Sequence, residues 1–271
     1  MSAHTRVGDV LADARAEGRA ALVAYLPVGF PTVDDSVAAC RALVEGGADI
    51  VEVGVPYSDP LMDGPVIQHA VEAALERGAR PRDAFLAVRA VADAGAVPLV
   101  MTYWNLVDRY GVERFAADLA DAGGAGLITP DLIPDEADEW FAAADKHDLD
   151  KVFLVAPSST DERLVSTVRA CRGFVYAAST MGVTGTRGTV GNAAEALVAR
   201  TKAVTDLPVC VGLGVSNRAQ AAEVAAFADG VIVGSAFVKV LADAPDRESG
   251  LDALRALAAD LAAGVREGRT A

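Results

Sequence analysis

Short runs of β-branched and aliphatic residues alternate along the whole chain with longer, alanine-rich segments whose apolar positions have helical spacing. The apolar runs predict eight strands, at residues 21–26, 50–55, 98–102, 126–129, 152–155, 174–178, 208–211 and 230–233. Strands that alternate with helices form parallel sheets. Eight such units in 271 residues favour a closed (β/α)8 barrel over an open doubly wound sheet, which usually has fewer strands.

The segments between the strands carry helix boundary signals. Asp34 is expected to begin one helix, and Gly46-Gly47 to end it just before the next strand. Residues 5–18 predict an extra amphipathic helix under the barrel floor, and residues 66–94 are long enough to hold a second additional helix. Because no low-complexity linker divides the chain, we expect an α/β fold with a single TIM-barrel domain over residues 1–271.

A carboxylate interrupts the second apolar run, and an acidic loop follows it. Glu52 lies within a strand that reads as buried on both faces, where a charge costs several kcal/mol or the acid takes a raised pKa. For a lone buried acid the usual alternative is an interior ion pair. Asp59 and Asp63 follow directly after the strand, where parallel α/β folds place their chemistry. Glu52 is therefore a candidate proton carrier.

Composition and charge exclude several classes of protein. The hydrophobic fraction of 52% supports a large core, whereas no apolar run approaches the roughly 20 residues of a membrane span. A net charge of −14 without a basic cluster disfavours nucleic acid and anionic lipid as partners. Cys40, Cys171 and Cys210 are odd in number and widely separated, so we expect core thiols. The amino terminus has no signal-peptide pattern, and we expect a cytoplasmic protein.

Glycine-rich loops follow the last three strands, at residues 182–188, 212–214 and 234–235. In barrels, the loops after strands seven and eight and the N-terminus of a short helix bind phosphate. Ser235 is expected to cap a helix that begins at Ala236. One such loop alone is better explained as a tight strand ending, but three in register predict a phosphate site. The loops match neither a Walker motif nor a dinucleotide fingerprint.

Other chemistries fit the sequence less well. The three histidines have no metal-ligand spacing, so no metal site is expected, and no lysine lies at the carboxyl end of a strand for an imine. Carboxylate acid–base chemistry on a phosphorylated substrate, without a cofactor in this chain, remains. Large side chains near strand ends are candidates for the wall of an apolar pocket, although such residues are more often plain core. They are Tyr103, Leu127, Phe153 and Tyr176.

Residues 52–65, EVGVPYSDPLMDGP, resemble the signature of the tryptophan synthase alpha subunit family, and the resemblance extends to residues 101–105, 130–132, 182–185, 212–216 and 234–236. It implies a (β/α)8 barrel that cleaves indole-3-glycerol phosphate by a retro-aldol step. It also implies a partner, a beta subunit that carries pyridoxal phosphate and receives the indole in an α2β2 assembly.

The resemblance assigns roles to particular residues. Glu52 would move protons at the reacting carbons, Asp63 would accept the indole N–H, and Asp59 would face the beta subunit. Thr184 would pair with Asp63 as its loop closes. The remaining assignments are substrate contacts, Tyr176 near the reacting chain and Gly185, Gly214, Gly234 and Ser235 at the phosphate. Two segments depart from the family pattern, Ser179-Thr180-Met181 and Val28-Gly29-Phe30-Pro31.

Two further hypotheses stay open at this point. One is a free-standing indole-3-glycerol phosphate lyase that needs no beta subunit. The other is a non-enzymatic barrel that only activates a partner, which the presence of both carboxylates disfavours.

Overall fold

The computed structural model describes residues 6–178, 187–212 and 214–268. Their strands form one parallel sheet of nine segments in the order β5-β4-β3-β2-β1-β9-β8-β7-β6. The segments are β1 Ala21–Pro27, β2 Ile50–Gly54, β3 Val97–Met101, β4 Gly126–Ile128, β5 Asp150–Val152, β6 Leu154–Val155, β7 Val175–Ala178, β8 Val209–Gly212 and β9 Gly230–Val233.

The two ends of this sheet come from one extended stretch of chain. Phe153 alone separates β5 from β6, yet these segments lie at opposite ends of the strand order. The sheet therefore curls round on itself, and its nine segments correspond to the eight strands that the sequence predicts. The (β/α)8 barrel is confirmed.

The first helix precedes β1, the last two follow β9, and the others connect successive strands. They are α1 Arg6–Ala16, α2 Val33–Glu45, α3 Pro65–Glu76, α4 Ala84–Asp93, α5 Trp104–Tyr110, α6 Val112–Asp121, α7 Asp138–Lys146, α8 Asp161–Ala170, α9 Arg187–Lys202, α10 Arg218–Ala225, α11 Ser235–Asp243 and α12 Arg247–Glu267, with 3-10 turns at Pro81–Asp83 and Pro134–Glu136. Both α3 and α4 lie between β2 and β3, so the second additional helix is confirmed.

Side chains of each strand alternate between two cores. In β1, Leu22, Ala24 and Leu26 belong to the outer core, which packs against the helices. Ala21 and Val23 belong to an inner cluster, to which strands from all round the barrel contribute. Helix α1 supplies Val7, Leu11 and Ala14 to this inner cluster. The N-terminal helix therefore closes one end of the barrel, as the sequence predicts, and leaves the carboxyl ends of the strands for the site.

Three expectations need correction. Thr32, not Asp34, begins α2, because its hydroxyl accepts the N–H of Asp35 at 3.2 Å. A cap residue precedes the helix and binds a free N–H of its first turn, as Thr32 does, whereas Asp34 is already part of that turn. Leu127 and Phe153 pack in the outer core against helices and line no inner pocket, since their positions in the strand alternation place them on the outer face.

Helix α2 ends at the glycine pair as expected, and Gly47 has a φ of +100°, which glycine adopts without strain. Cys40, Cys171 and Cys210 are free thiols. The helices of the described residues include none long and apolar enough to cross a membrane.

Candidate active site

Glu52 lies inside the barrel. It is the third residue of β2, and its neighbours across the sheet are Tyr25 on β1 and Leu99 on β3. The side chain is fully buried, and neither carboxyl oxygen has a hydrogen-bond partner within the described part of the chain. Burial raises the pKa of Glu52 to about 8. An interior ion pair, the alternative from the sequence, does not form with any described residue.

Asp63 lies on the loop between β2 and α3, half buried at the mouth of the barrel. Burial raises the pKa of its carboxyl, and a hydrogen bond from Tyr103 opposes that effect. The charge of Asp63 also raises the pKa values of Tyr25 and Tyr176, and the charge of Glu52 raises the pKa values of the same two phenols. The two carboxyl groups, one fully buried and one half buried, therefore act on the same pair of tyrosines.

Two tyrosines flank Glu52 inside the barrel. Burial raises the pKa of both Tyr25 and Tyr176 well above 10, and the nearby Glu52 carboxyl adds to the shift in each. Tyr176 was expected at the site from the sequence. Tyr25 was not expected there. It is the one phenol in the otherwise apolar first strand, and this feature of the sequence could have indicated it.

Glycines at the strand ends make room for these phenols. A Cβ on Gly212 would lie 2.7 Å from the Tyr176 hydroxyl, and one on Gly234 would lie 3.1 Å from the Tyr25 ring. Both distances are shorter than ordinary carbon contacts. These glycines therefore have a packing role beside the tyrosines, in addition to the anion binding and tight strand endings that the sequence predicts.

The loops after β8 and β9 present backbone N–H groups at the same end of the barrel. Gly214 has a φ of +69°, and Ser235 is the first residue of α11. The first N–H groups of a helix have no intrahelical partner and attract anions. The expectation that Ser235 caps this helix is wrong, because Gly234 occupies the cap position and no side chain caps α11. The third loop, with Thr184 and Gly185, and the Ser179-Thr180-Met181 departure lie outside the described residues.

The remaining expected site residues lie on or beside the acidic loop. Asp59 is exposed and accepts a hydrogen bond from the Ser58 hydroxyl at 2.6 Å. Leu61 and Met62 next to it expose 81% and 48% of their surface, which is unusual for large apolar residues. Tyr103 is buried, and its hydroxyl contacts the backbone of this loop. Among the residues described, no group of His, Cys, Asp or Glu could hold a metal ion.

The fold and this site together define a (β/α)8-barrel enzyme whose buried carboxyl groups suit acid–base chemistry. The family model described as "Tryptophan synthase alpha chain" matches residues 11–266. The chain belongs to the tryptophan synthase alpha chain family.

Curated and solved relatives agree with this assignment. The tryptophan synthase alpha chain of Nocardia farcinica is 61% identical over 271 residues, which is 100% of both chains. That of Thermobifida fusca is 62% identical over 94% of this chain and 96% of its own. A ligand-free crystal structure of tryptophan synthase from M. tuberculosis superposes with a TM-score of 0.90 at 60% identity, covering 97% of this chain and 100% of the other. These relatives favour the alpha chain of a complex and give no support to a free-standing lyase.

Proposed function

We propose that Glu52 and Asp63 carry out the lyase reaction of the family, the cleavage of indole-3-glycerol phosphate to indole and glyceraldehyde 3-phosphate. The observation that carries this proposal is the state of Glu52, a fully buried carboxyl without a described partner and with a pKa of about 8. At neutral pH this group is mostly protonated. It can therefore donate a proton and take one back, as a general acid and base must.

The retro-aldol step requires two proton transfers that Glu52 can link. Its carboxylic acid donates a proton to C3 of the indole, which leaves a positive charge shared with the ring nitrogen. Its carboxylate then accepts the proton of the hydroxyl on the adjacent carbon. As that carbon becomes an aldehyde, the C–C bond breaks and its electrons restore the neutral indole. Glu52 ends in its starting state, so no cofactor in this chain is needed.

Asp63 has the complementary role. A fixed carboxylate that accepts the indole N–H stabilises the positive charge that develops on the ring. Asp63 is less buried than Glu52 and receives a hydrogen bond from Tyr103 that favours its ionised form. Two acids in different environments can thus divide acid and carboxylate roles at one pH. Tyr176, beside Glu52, would contact the reacting glycerol chain.

The phosphate group of the substrate would lie against the glycine loops. Gly214 and Gly234 let the backbone approach an anion closely, and the N-terminus of α11 at Ser235 adds free N–H groups and a favourable dipole. By resemblance, Thr184 and Gly185 would complete this phosphate site and close over Asp63, although both lie outside the described residues.

A beta subunit completes the proposed function. The solved relatives include tryptophan synthase from M. tuberculosis, which supports a beta-subunit partner. By the family resemblance, that partner would carry pyridoxal phosphate and the two chains would form an α2β2 assembly. Asp59 and the exposed side chains of Leu61 and Met62 form a surface at the barrel mouth that suits such a contact. We propose that the assembly is cytoplasmic.

Release of indole from indole-3-glycerol phosphate tests the proposal directly. We expect slow release by the purified chain and much faster release when a tryptophan synthase beta subunit is added. Glu52→Gln should abolish release while the chain still folds and binds the partner. Glu45→Gln, which removes an exposed carboxylate at the end of α2, should release indole at the normal rate. Unchanged turnover in the Glu52 variant would rule out the mechanism.

A further inference from the structure

The hydroxyl of Tyr103 is bonded to the loop that carries Asp63. Its oxygen accepts the N–H of Leu61 at 3.0 Å and the N–H of Met62 at 3.1 Å. These are the two backbone amides just before Asp63, and they lie about forty positions away from Tyr103 in the sequence. A single oxygen thus fixes the end of the loop immediately before its carboxylate.

Tyr103 is itself held firmly. It occupies the cap position of α5, just after β3, and is 6% exposed. The next residue, Trp104, donates its backbone N–H to both carboxylate oxygens of Asp131, at 2.9 and 3.1 Å. The ring of Tyr103 packs against that of Tyr57 with 5.0 Å between centroids. The phenol is therefore a rigid support attached to the barrel, not a mobile side chain.

The Tyr103 hydroxyl has no acceptor position left for a ligand. A tyrosine hydroxyl has one donor and two acceptor positions. Both acceptor positions are used, by the backbone N–H groups of Leu61 and Met62. From the sequence, Tyr103 is expected in the wall of the substrate pocket, whereas in the structure its hydroxyl oxygen binds the backbone of the Asp63 loop.

We propose that Tyr103 is a positioning residue, which fixes the Asp63 loop so that the carboxylate is ready to accept the indole N–H before the substrate arrives. This inference rests on the proposed function. It adds a third member to the site, one that acts on the reaction through Asp63. The order of contacts is Asp131 to the start of α5, Tyr103 to the loop backbone, and the loop to Asp63.

The test compares Tyr103→Phe with Tyr57→Phe in the complex with a beta subunit. Both variants keep their aromatic ring and lose one hydroxyl near the same loop. In the described residues the Tyr57 hydroxyl has a single long contact, 3.5 Å from the amide of Asn105. We expect Tyr103→Phe to lower kcat about ten-fold, as the loss of hydrogen bonds to a charged group suggests, and to change KM less than about two-fold. Tyr57→Phe should stay near wild type in both.

The pH profile gives a readout that a merely structural role would not move. The hydrogen bond from Tyr103 lowers the pKa of Asp63 against the effect of burial. Without it that pKa rises, so the acid limb of kcat/KM should move to higher pH while the basic limb stays in place. The other ionisable groups around Asp63 are Tyr25 on β1, Glu52 on β2 and Tyr176 on β7, with Asp131 beside Tyr103, and neither variant changes them.

Two results separate the possible failures. A Tyr103→Phe profile that superimposes on wild type, or a raised KM with normal kcat, would overturn the positioning role and return Tyr103 to substrate binding. Failure of the wild-type complex to release indole would instead overturn the proposed function itself.

Discussion

The phenol of Tyr25 fills the space that any side chain on Gly54 would need. A Cβ on Gly54 would lie 2.4 Å from the Tyr25 hydroxyl oxygen and 2.7 Å from two of its ring carbons. Gly54 is two residues after Glu52 on the same face of β2, and Tyr25 pairs with Glu52 across the sheet. The absence of a side chain at position 54 therefore allows an aromatic ring to pack beside the buried carboxyl.

Gly54→Ala should displace Tyr25 and reduce catalysis. Because the contact involves the rigid ring as well as the hydroxyl, the ring must move, and overpacking of this kind costs about 1–3 kcal/mol of unfolding free energy. We expect a lower melting temperature together with a fall in indole release of at least about ten-fold. Denaturant unfolding and a turnover assay measure the two effects.

Gly64→Ala is the matched control for that variant. Gly64 lies at the start of α3 with an ordinary φ of −73°, and a Cβ there would meet no atom within 4 Å. Its melting temperature should be close to wild type. Equal stability losses in the two variants would show that the loss at Gly54 does not come from the contact with Tyr25.

The sequence predicts the barrel well because its signals are local and repeated. Each strand appears as a short aliphatic run, and helix ends such as Gly46-Gly47 are marked by residues with unusual backbone freedom. The placement of Glu52 inside the barrel also follows from such a local signal, a lone charge within an apolar run. These features do not depend on which distant residues meet.

The parts of the site that the sequence did not predict are long-range contacts. Tyr25 meets Gly54 and Gly234 only because β1 pairs with both β2 and β9. The sequence also predicts Tyr103 as a site residue, but its hydrogen bonds to the loop before Asp63 join positions far apart in the chain. The start of α11 was misjudged for a different reason, since Gly234 and Ser235 are both acceptable cap residues and the backbone geometry decides between them.

Glu52 should make the stability of the protein depend on pH. Its pKa rises from an ordinary value near 4.5 to about 8 on folding, so the folded chain binds one more proton than the unfolded chain between these values. Its favourable contribution is complete below about pH 4.5 and is lost as the pH rises through 8. Each pH unit in this window should lower the unfolding free energy by about 1.4 kcal/mol through this group.

Glu52→Gln isolates that effect, because the amide does not titrate. We expect the difference in unfolding free energy, variant minus wild type, to increase steadily between about pH 5 and pH 8 and to level off above it. Urea unfolding at several pH values measures it. A difference that does not change over this range would mean that Glu52 is ionised in the folded protein, and the acid role assigned to it would then fail.

Ser235→Asp tests the phosphate site. A carboxylate on the first residue of α11 would repel the substrate phosphate, so KM should rise at least about ten-fold. The same charge interacts favourably with the helix dipole, so stability should stay equal or increase slightly. This combination of weaker binding without destabilisation distinguishes charge repulsion from general damage.

Ser249→Asp provides the comparison for the phosphate test. Ser249 lies exposed in the first turn of α12, a helix that follows α11 and whose start is not one of the glycine loops. It should gain the same helix-dipole stabilisation with an unchanged KM. Normal substrate affinity in Ser235→Asp would mean that the phosphate binds elsewhere.

Asp49 should matter for stability and not for catalysis, although it is only three residues before Glu52. It forms two hydrogen bonds with the guanidinium of Arg19, at 2.8 and 2.9 Å, and a third with the backbone N–H of Leu22 at 2.8 Å. Both side chains of the ion pair are largely buried, with 11% and 16% exposure. These contacts lie at the end of the barrel that α1 closes, where they hold the start of β2. The candidate active site is at the opposite end.

Asp49→Ala leaves the Arg19 charge and the Leu22 amide without this partner, so we expect a loss of about 3 kcal/mol in unfolding free energy. The rate of indole release per folded molecule should be unchanged, because Glu52 and the loop keep their supports. Asp243→Ala, which removes an ion pair with Lys239 exposed on α11, should cost less than about 0.5 kcal/mol. Asp49 and Glu52 have separate contacts, so the floor of the barrel is not expected to control the position of Glu52. A large fall in kcat for Asp49→Ala, at a temperature where the variant is folded, would show the opposite.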